Sequence, residues 1–566
     1  MADKKIFIYQ LLPRLFGNKT ADLVQDGSIG ENGSGKFADL TDGILKKLKK
    51  TGYSHVWYTG VIAHASTSDY SSFGIPNDFP EIVKGKAGSP YAIRDYYDVD
   101  PDLALNVENR MQEFDELVAR THNADLKVIV DFVPNHVARN YRSICKPKKA
   151  KDFGKTDDVN LPFSSQNNFY YLPGQTLELQ LPPDKFPLID YKEFPAKATG
   201  NDCFTNRPSQ YDWYEAVKLN YGVDYQGGHL NYFIPTPDTW LKMKDILFFW
   251  ASKNIDGFRC DMAEMVPVEF WHWVIPQVKE KYPKLIFIAE VYNPTQYRNF
   301  LAENSFDYLY DKVGLYDVLR DVACGYRPSS DITFTLNGVG DIQPKMLNFM
   351  ENHDEQRLAS DFFLKDGAKG KAAMFVTACV NTNPVLVYSG QELGEKGMDE
   401  EGFSGRDGRT SIYDYWAPDT LRRWNNKGKW NDDLLSEAEK DLKNFYARLI
   451  ALCNKESALR EGLFYDLMPA NYENSDFNST RQFAFLRGKN KEAVLVVANF
   501  DASEADISIY IPEHAFAFFG LAKTDVGIAT PLFAADKTMV PFSVKTPLRI
   551  AVSPNSGEIY KISFLQ

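Results

Sequence analysis

The sequence predicts an α/β protein: a (β/α)8 barrel, with a domain inserted after its third strand and a C-terminal antiparallel β-sandwich. Three observations predict it. Short apolar runs alternate with amphipathic stretches over most of the chain, as parallel strands do with their crossover helices. Eight such runs can be counted, the number a closed barrel takes. After about Lys455 the character changes to short β-rich runs separated by turn residues.

The eight runs fall at residues 6–9, 55–59, 127–133, 256–261, 285–291, 306–310, 347–350 and 384–388. Each is too short for a helix and apolar enough to be buried on both faces. Amphipathic stretches at 108–120 and 240–253 supply crossover helices, the second through Leu247, Phe248 and Trp250. The connection after the third run is far longer than a crossover needs. Residues 138–225 are rich in Pro, Asn, Asp and aromatic side chains and have weak periodicity. A long excursion inside a compact domain is usually functional or a subdomain, so it is read as an inserted domain over the barrel mouth. The expected division is 1–137 and 226–455 for the barrel, 138–225 for the insert and 456–566 for the C-terminal domain.

The chain has 566 residues, a net charge of -12 and 14% aromatic residues. An acidic balance argues against nucleic acid or an anionic membrane as partner. Its six cysteines form no C-x-x-C pair, so neither a metal site nor a disulfide framework is indicated. No apolar run reaches membrane-spanning length, and the first strand begins at once, so the chain is expected in the cytoplasm. Removal of a leader would make the location periplasmic or secreted instead.

Three acids each follow an apolar run: Asp261, Glu290 and Asp354. Strand ends on the carboxyl side of a barrel are where active sites are built, and converging carboxylates suit glycosidic bond cleavage. Arg259 lies two residues before Asp261, so both side chains leave one face of the strand. A fixed positive charge there favours ionised Asp261.

Four ordered segments carry a resemblance. They are Asp131-Phe132-Val133-Pro134-Asn135-His136, Gly257-Phe258-Arg259-Cys260-Asp261, Ile288-Ala289-Glu290-Val291, and Phe349-Met350-Glu351-Asn352-His353-Asp354. The chain resembles the alpha-amylase family, glycoside hydrolase family thirteen, over residues 6 to about 455. Resemblance implies a retaining hydrolase of α-1,4-glucosidic bonds in starch, glycogen or malto-oligosaccharides. In that reading Asp261 is the nucleophile, Glu290 the general acid/base and Asp354 the transition-state stabiliser. Tyr91, His136, Arg259 and His353 would contact the sugar. A 4-α-glucanotransferase, a trehalose-forming enzyme or an α-1,6- or pullulan-cleaving hydrolase would share the same motifs.

Many relatives hold a structural calcium through the residue matching Asn135 together with ligands from the inserted domain. Asn135 is therefore read either as a calcium ligand or as a plain hydrogen-bonding residue at a strand end, and no organic cofactor is expected. Glu264 departs from the Lys-His pair of many relatives, which puts the acceptor side in question. Trp213, Tyr214, Tyr413, Tyr415 and Trp416 are candidate stacking platforms or packing residues. The acidic, Gly-rich stretch 395–409 is read as a loop after the eighth strand, over the cleft or merely solvated.

Overall fold

In the computed structural model, the structure describes residues 5–565 apart from 184, 187, 399–401, 490–491, 521–525 and 535–536. The eight expected strands form one parallel sheet: β1 (Phe7–Leu11), β2 (His55–Tyr58), β3 (Lys127–Phe132), β4 (Gly257–Cys260), β5 (Ile286–Ala289), β6 (Tyr308–Tyr310), β7 (Met346–Leu347) and β8 (Val385–Tyr388). Neighbours in sequence are neighbours in the sheet, and β8 pairs back onto β1. A parallel bridge from Asn348 to Val385 closes the ring, with the Asn348 amide donating to Pro384 O at 3.0 Å. The β7 strand is shorter than its apolar run, and the Asn348 side chain beyond it donates to Thr377 O.

Strand alternation divides the core in two. Ile8, Trp57, Ile129, Ile288, Tyr310, Leu347 and Leu386 form a buried layer inside the barrel. The outward residues of the same strands, such as Val56, Val128, Phe258 and Phe287, join the larger core under the helices. Helix α1 (Arg110–Asn123) buries Phe114, Leu117, Val118 and Thr121, one face of a 3.6-residue period. Helix α2 (Asp238–Ala251) starts after Pro237 and buries Trp240, Met243, Ile246, Leu247 and Trp250. Helix α3 (Val268–Lys281) buries Phe270, Trp271, Val274, Ile275 and Val278, and the Trp271 indole N–H donates to Ala263 O at 3.1 Å. That bond fastens a helix to the turn following β4.

Between β3 and the crossover helix α2 the chain makes short antiparallel pairings. Residues His136–Ala138 pair with Ala216–Lys218, and Tyr171–Leu172 with Ala196–Lys197. Leu172, Leu177, Leu179, Ala196 and Tyr214 make a small apolar cluster there with Ile82. Beyond helix α4 (Lys371–Cys379) and helix α5 (Glu437–Lys455), the chain builds a six-stranded antiparallel sheet, and a separate two-stranded pair joins Ala505–Ile509 to Leu548–Val552. The expected sandwich is thus unequal, and α4 covers part of the large sheet. Arg487 from that sheet donates to Cys379 O at 2.7 Å. Among the described residues no helix is long and apolar enough to cross a membrane.

Candidate active site

Arg259 is the centre of the site. It stands on β4 in register with Asp131 of β3 and Ile288 of β5, facing the barrel interior. The guanidinium is 1% exposed. Its Nη1 donates to Asp261 Oδ1 at 2.6 Å and lies 3.5 Å from Asp131 Oδ1. Nη2 is 2.8 Å from Glu290 Oε2 and 4.0 Å from Asp354 Oδ2, while Nε donates to the Tyr310 hydroxyl at 3.2 Å. The Nη2 contacts are ion pairs without a hydrogen bond, the Asp354 one being too long for one. The rings of Trp57, Tyr91 and Tyr310 surround the cation at 5.3–5.5 Å. One guanidinium therefore spans all three acids expected at the site and a fourth, Asp131.

Asp261 and Glu290 are buried, whereas the Asp354 side chain is 41% exposed at the mouth. Burial pushes the Asp261 carboxyl well up and the Glu290 charge adds to it, against the pull of Arg259. The expectation from Arg259 alone therefore left out the larger effect, desolvation. Glu290 Oε1 accepts from the Tyr292 hydroxyl at 2.6 Å, and Oε2 from the Met262 amide at 2.7 Å. Met262 adopts a left-handed backbone with φ 44°, an arrangement that costs roughly 1–2 kcal/mol outside glycine. That turn, next to Asp261, aims the Met262 N–H at Glu290.

His353 is buried between Trp57 and Tyr91, stacked on the latter at 5.3 Å. Gln10 Nε2 donates to its Nδ1 at 2.7 Å, so Nε2 carries the ring proton toward Asp354 Oδ2 at 3.1 Å and the Tyr91 hydroxyl. Burial and Arg259 hold its pKa well below the usual 6.5, so the ring is neutral. His136 meets the Tyr91 backbone and packs on Trp213 at 5.1 Å. Burial and Lys218 bring its pKa down to about 3.

The sequence model of the alpha-amylase catalytic domain matches residues 10–462. The chain belongs to the alpha-amylase family. It is 22% identical over 431 residues to Alpha-amylase 2 of Dictyoglomus thermophilum, covering 75% of this chain and 60% of that protein. A cyclomaltodextrinase of Bacillus sp is 23% identical over 517 residues, 88% of this chain and 73% of that one. The maltogenic alpha-amylase AmyB of Thermotoga neapolitana shares its fold, with a TM-score of 0.62 and 19% identity over the full length of both chains. The chain spans 60% and 55% of the lengths of the two alpha-amylases from Dictyoglomus thermophilum and Haloarcula japonica that it matches.

Within this alpha-amylase-family frame, six of the eight residues expected at the site touch one another around Arg259: Tyr91, Arg259, Asp261, Glu290, His353 and Asp354. His136 adjoins them through Tyr91. Asn135 does not join them; its Oδ1 accepts from Lys218 Nζ at 2.7 Å and its Nδ2 donates to Gly200 O at 2.8 Å. Glu264 turns out to be a loop tie, its Oε2 accepting from the Tyr292 and Asn293 amides at 2.9 and 3.0 Å. It thereby fixes the residue that donates to Glu290. Residues 402–413 follow β8 and line a cavity of about 270 Å³ with His353 and Asp354. The loop expected at 395–409 thus borders the cleft; its residues 399–401 lie outside the described residues.

Tyr413 lines that cavity, whereas Tyr214 is core and the Tyr415 hydroxyl is spent on Asp102 at 2.7 Å. Trp416 packs against the core. Sequence reasoning assigned no role to Asp131, Gln10, Trp57, Tyr292 or Tyr310. Asp131 had a signal, since it opens the first of the four ordered segments; Gln10, Trp57 and Tyr310 reach the site only through the barrel's register, and Tyr292 through the loop after β5 that Glu264 holds.

Proposed function

We propose that this chain hydrolyses α-1,4-glucosidic bonds of malto-oligosaccharides or larger α-glucans with net retention. The observation that carries the reading is one buried guanidinium shared by Asp261 and Glu290 beneath a half-exposed Asp354. Retaining cleavage needs a nucleophilic carboxylate and a proton-donating carboxyl on one sugar. Asp261 takes the direct N–H of Arg259, which favours its carboxylate as the nucleophile against the cost of burial, and Glu290 stands beside it as the proton donor. Asp261 attacks the anomeric carbon while Glu290 protonates the departing glycosidic oxygen. A β-glucosyl ester of Asp261 results. Glu290, now ionised and held by Tyr292 and Met262, takes a proton from water, which displaces Asp261 and releases the α-anomer. Asp354 and the neutral His353 present an acceptor and a donor to ring hydroxyls at the mouth.

The names of its relatives, alpha-amylase and cyclomaltodextrinase, support an α-glucan as substrate class. The test is product analysis on amylose, pullulan, a cyclodextrin, maltotriose and trehalose, with the anomer followed by proton NMR. Products only shorter than the substrate, released first as the α-anomer, are expected; longer products would replace hydrolysis by transfer. Glu290→Gln should lower kcat by about 10²–10⁴, and wild-type turnover in that variant would remove Glu290 from the mechanism.

A further inference from the structure

Lys218 carries a buried positive charge that the reaction does not use. It ends the short strand Ala216–Lys218, opposite His136 in the antiparallel register, and is 1% exposed. Its Nζ lies 2.6 Å from Asp202 Oδ1, 2.7 Å from Asn135 Oδ1 and 3.4 Å from Met265 O. An ammonium has three N–H donors, and three oxygens converge on this one. They come from three places far apart in sequence: the segment after β3, the excursion before β4, and the turn after β4. The Tyr225 ring lies 5.1 Å from Nζ. Burial lowers the Lys218 pKa and Asp202 raises it.

Burying a charge is costly unless it is paired and hydrogen-bonded, so three aimed oxygens are a built site. A calcium ion takes six to eight oxygens, and one bound at Asn135 Oδ1 would have to displace the ammonium already there. Two other acids of the excursion are used by protein donors. Asp157 Oδ2 accepts from two backbone amides and the Tyr171 hydroxyl, and Asp152 pairs with Lys146. Among the described residues, Asp95, Asp98 and Cys145 are the one group of three or more acidic, thiol or imidazole side chains near enough to share an ion. There Asp98 holds Arg110 and Asp95 accepts from Ser143, Ile144 and Cys145.

We propose that Lys218 is the structural cation of this protein, standing where calcium-holding members of the family place a metal ion, so that its site is built without calcium. The ammonium ties Asn135, and through it His136, to the turn that carries Met262 and Glu264.

The test uses the full chain, desalted, with calcium content by mass spectrometry and thermal unfolding in EGTA and in millimolar calcium chloride. Expected are calcium well below one ion per chain and the same Tm in both media. Lys218→Met should lower Tm by about 5 °C or more. Should that variant fail to fold, Asp202→Asn, at the half-exposed rim, should lower Tm by less and leave calcium without effect. One tightly held calcium per chain, a Tm that falls in EGTA, or either variant melting with the wild type would overturn the proposal. None of these readouts depends on the assigned reaction.

Discussion

Replacing Asp131 with Asn isolates the cost of keeping a further carboxylate beside Arg259. Asp131 is 5% exposed, and burial lifts its carboxyl from 3.8 to about 6 against the pull of Arg259. The folded protein therefore binds this proton more tightly than the unfolded chain. Its contribution to stability is full below about pH 4 and is lost as pH rises through about 6. A shift of roughly two units corresponds to about 3 kcal/mol. Asn preserves an oxygen for the Trp57 indole N–H, now 3.1 Å from Oδ2, and carries no charge. From about pH 4 to about pH 7 the wild type should lose about 3 kcal/mol relative to Asp131→Asn. Urea midpoints followed by tryptophan fluorescence measure this, with Trp57 as a reporter beside the substitution. Subtracting the variant cancels other buried acids that titrate in the window, such as Asp311 at about 6 and Glu351 at about 7. A difference that stays flat with pH, or that moves in favour of the wild type, refutes the reasoning.

Tyr292→Phe removes the 2.6 Å hydrogen bond to Glu290 and should lower kcat by about 10- to 100-fold with little change in KM, since bonds to charged groups contribute about 1.5–3 kcal/mol. Glu264→Gln weakens the tie on the Tyr292 amide, so its kcat loss should largely vanish in the Tyr292→Phe background; additive losses in a double-mutant cycle would show that Glu264 acts by another route. Trp271→Ala empties a fully buried site and leaves Ala263 O without its donor, for about 3–5 kcal/mol of stability by urea unfolding. The thiols of Cys379 and Cys453, 3.7 Å apart and both 0% exposed, should resist a thiol reagent in the native protein and react only on unfolding, whereas exposed Cys145 should react in the native protein, but slowly, because burial and Asp98 push its thiol up to about 12.

Much of the barrel was legible because its strands are short apolar runs with polar ends. All eight expected runs overlap an observed strand, although the ends moved. The runs at 285–291 and 347–350 shortened because apolar residues such as Val291, Phe349 and Met350 are buried without pairing in the sheet. Apolar character reports burial, and strands are only one way to achieve it. The C-terminal region was legible as β-rich, but not the unequal split of its two sheets, which depends on strand pairing across distant turns.

The sequence alone determined which residue types stand at which strand ends, and hence the expectation that Asp261, Glu290 and Asp354 converge on one mouth with Arg259 beside Asp261. Local periodicity carries that information, since alternate residues on a strand share a face. Tertiary structure decided how those charges are shared. Only the closed sheet places Arg259 in register with Asp131 and against Asp261 and Glu290 together, and only burial sets the desolvation of Asp261 against the charge of Arg259. The oxygens around Lys218 belong to the same class of fact, because Asn135, Asp202 and Met265 meet only after the excursion folds back on the barrel. No local pattern records a distance between segments so far apart.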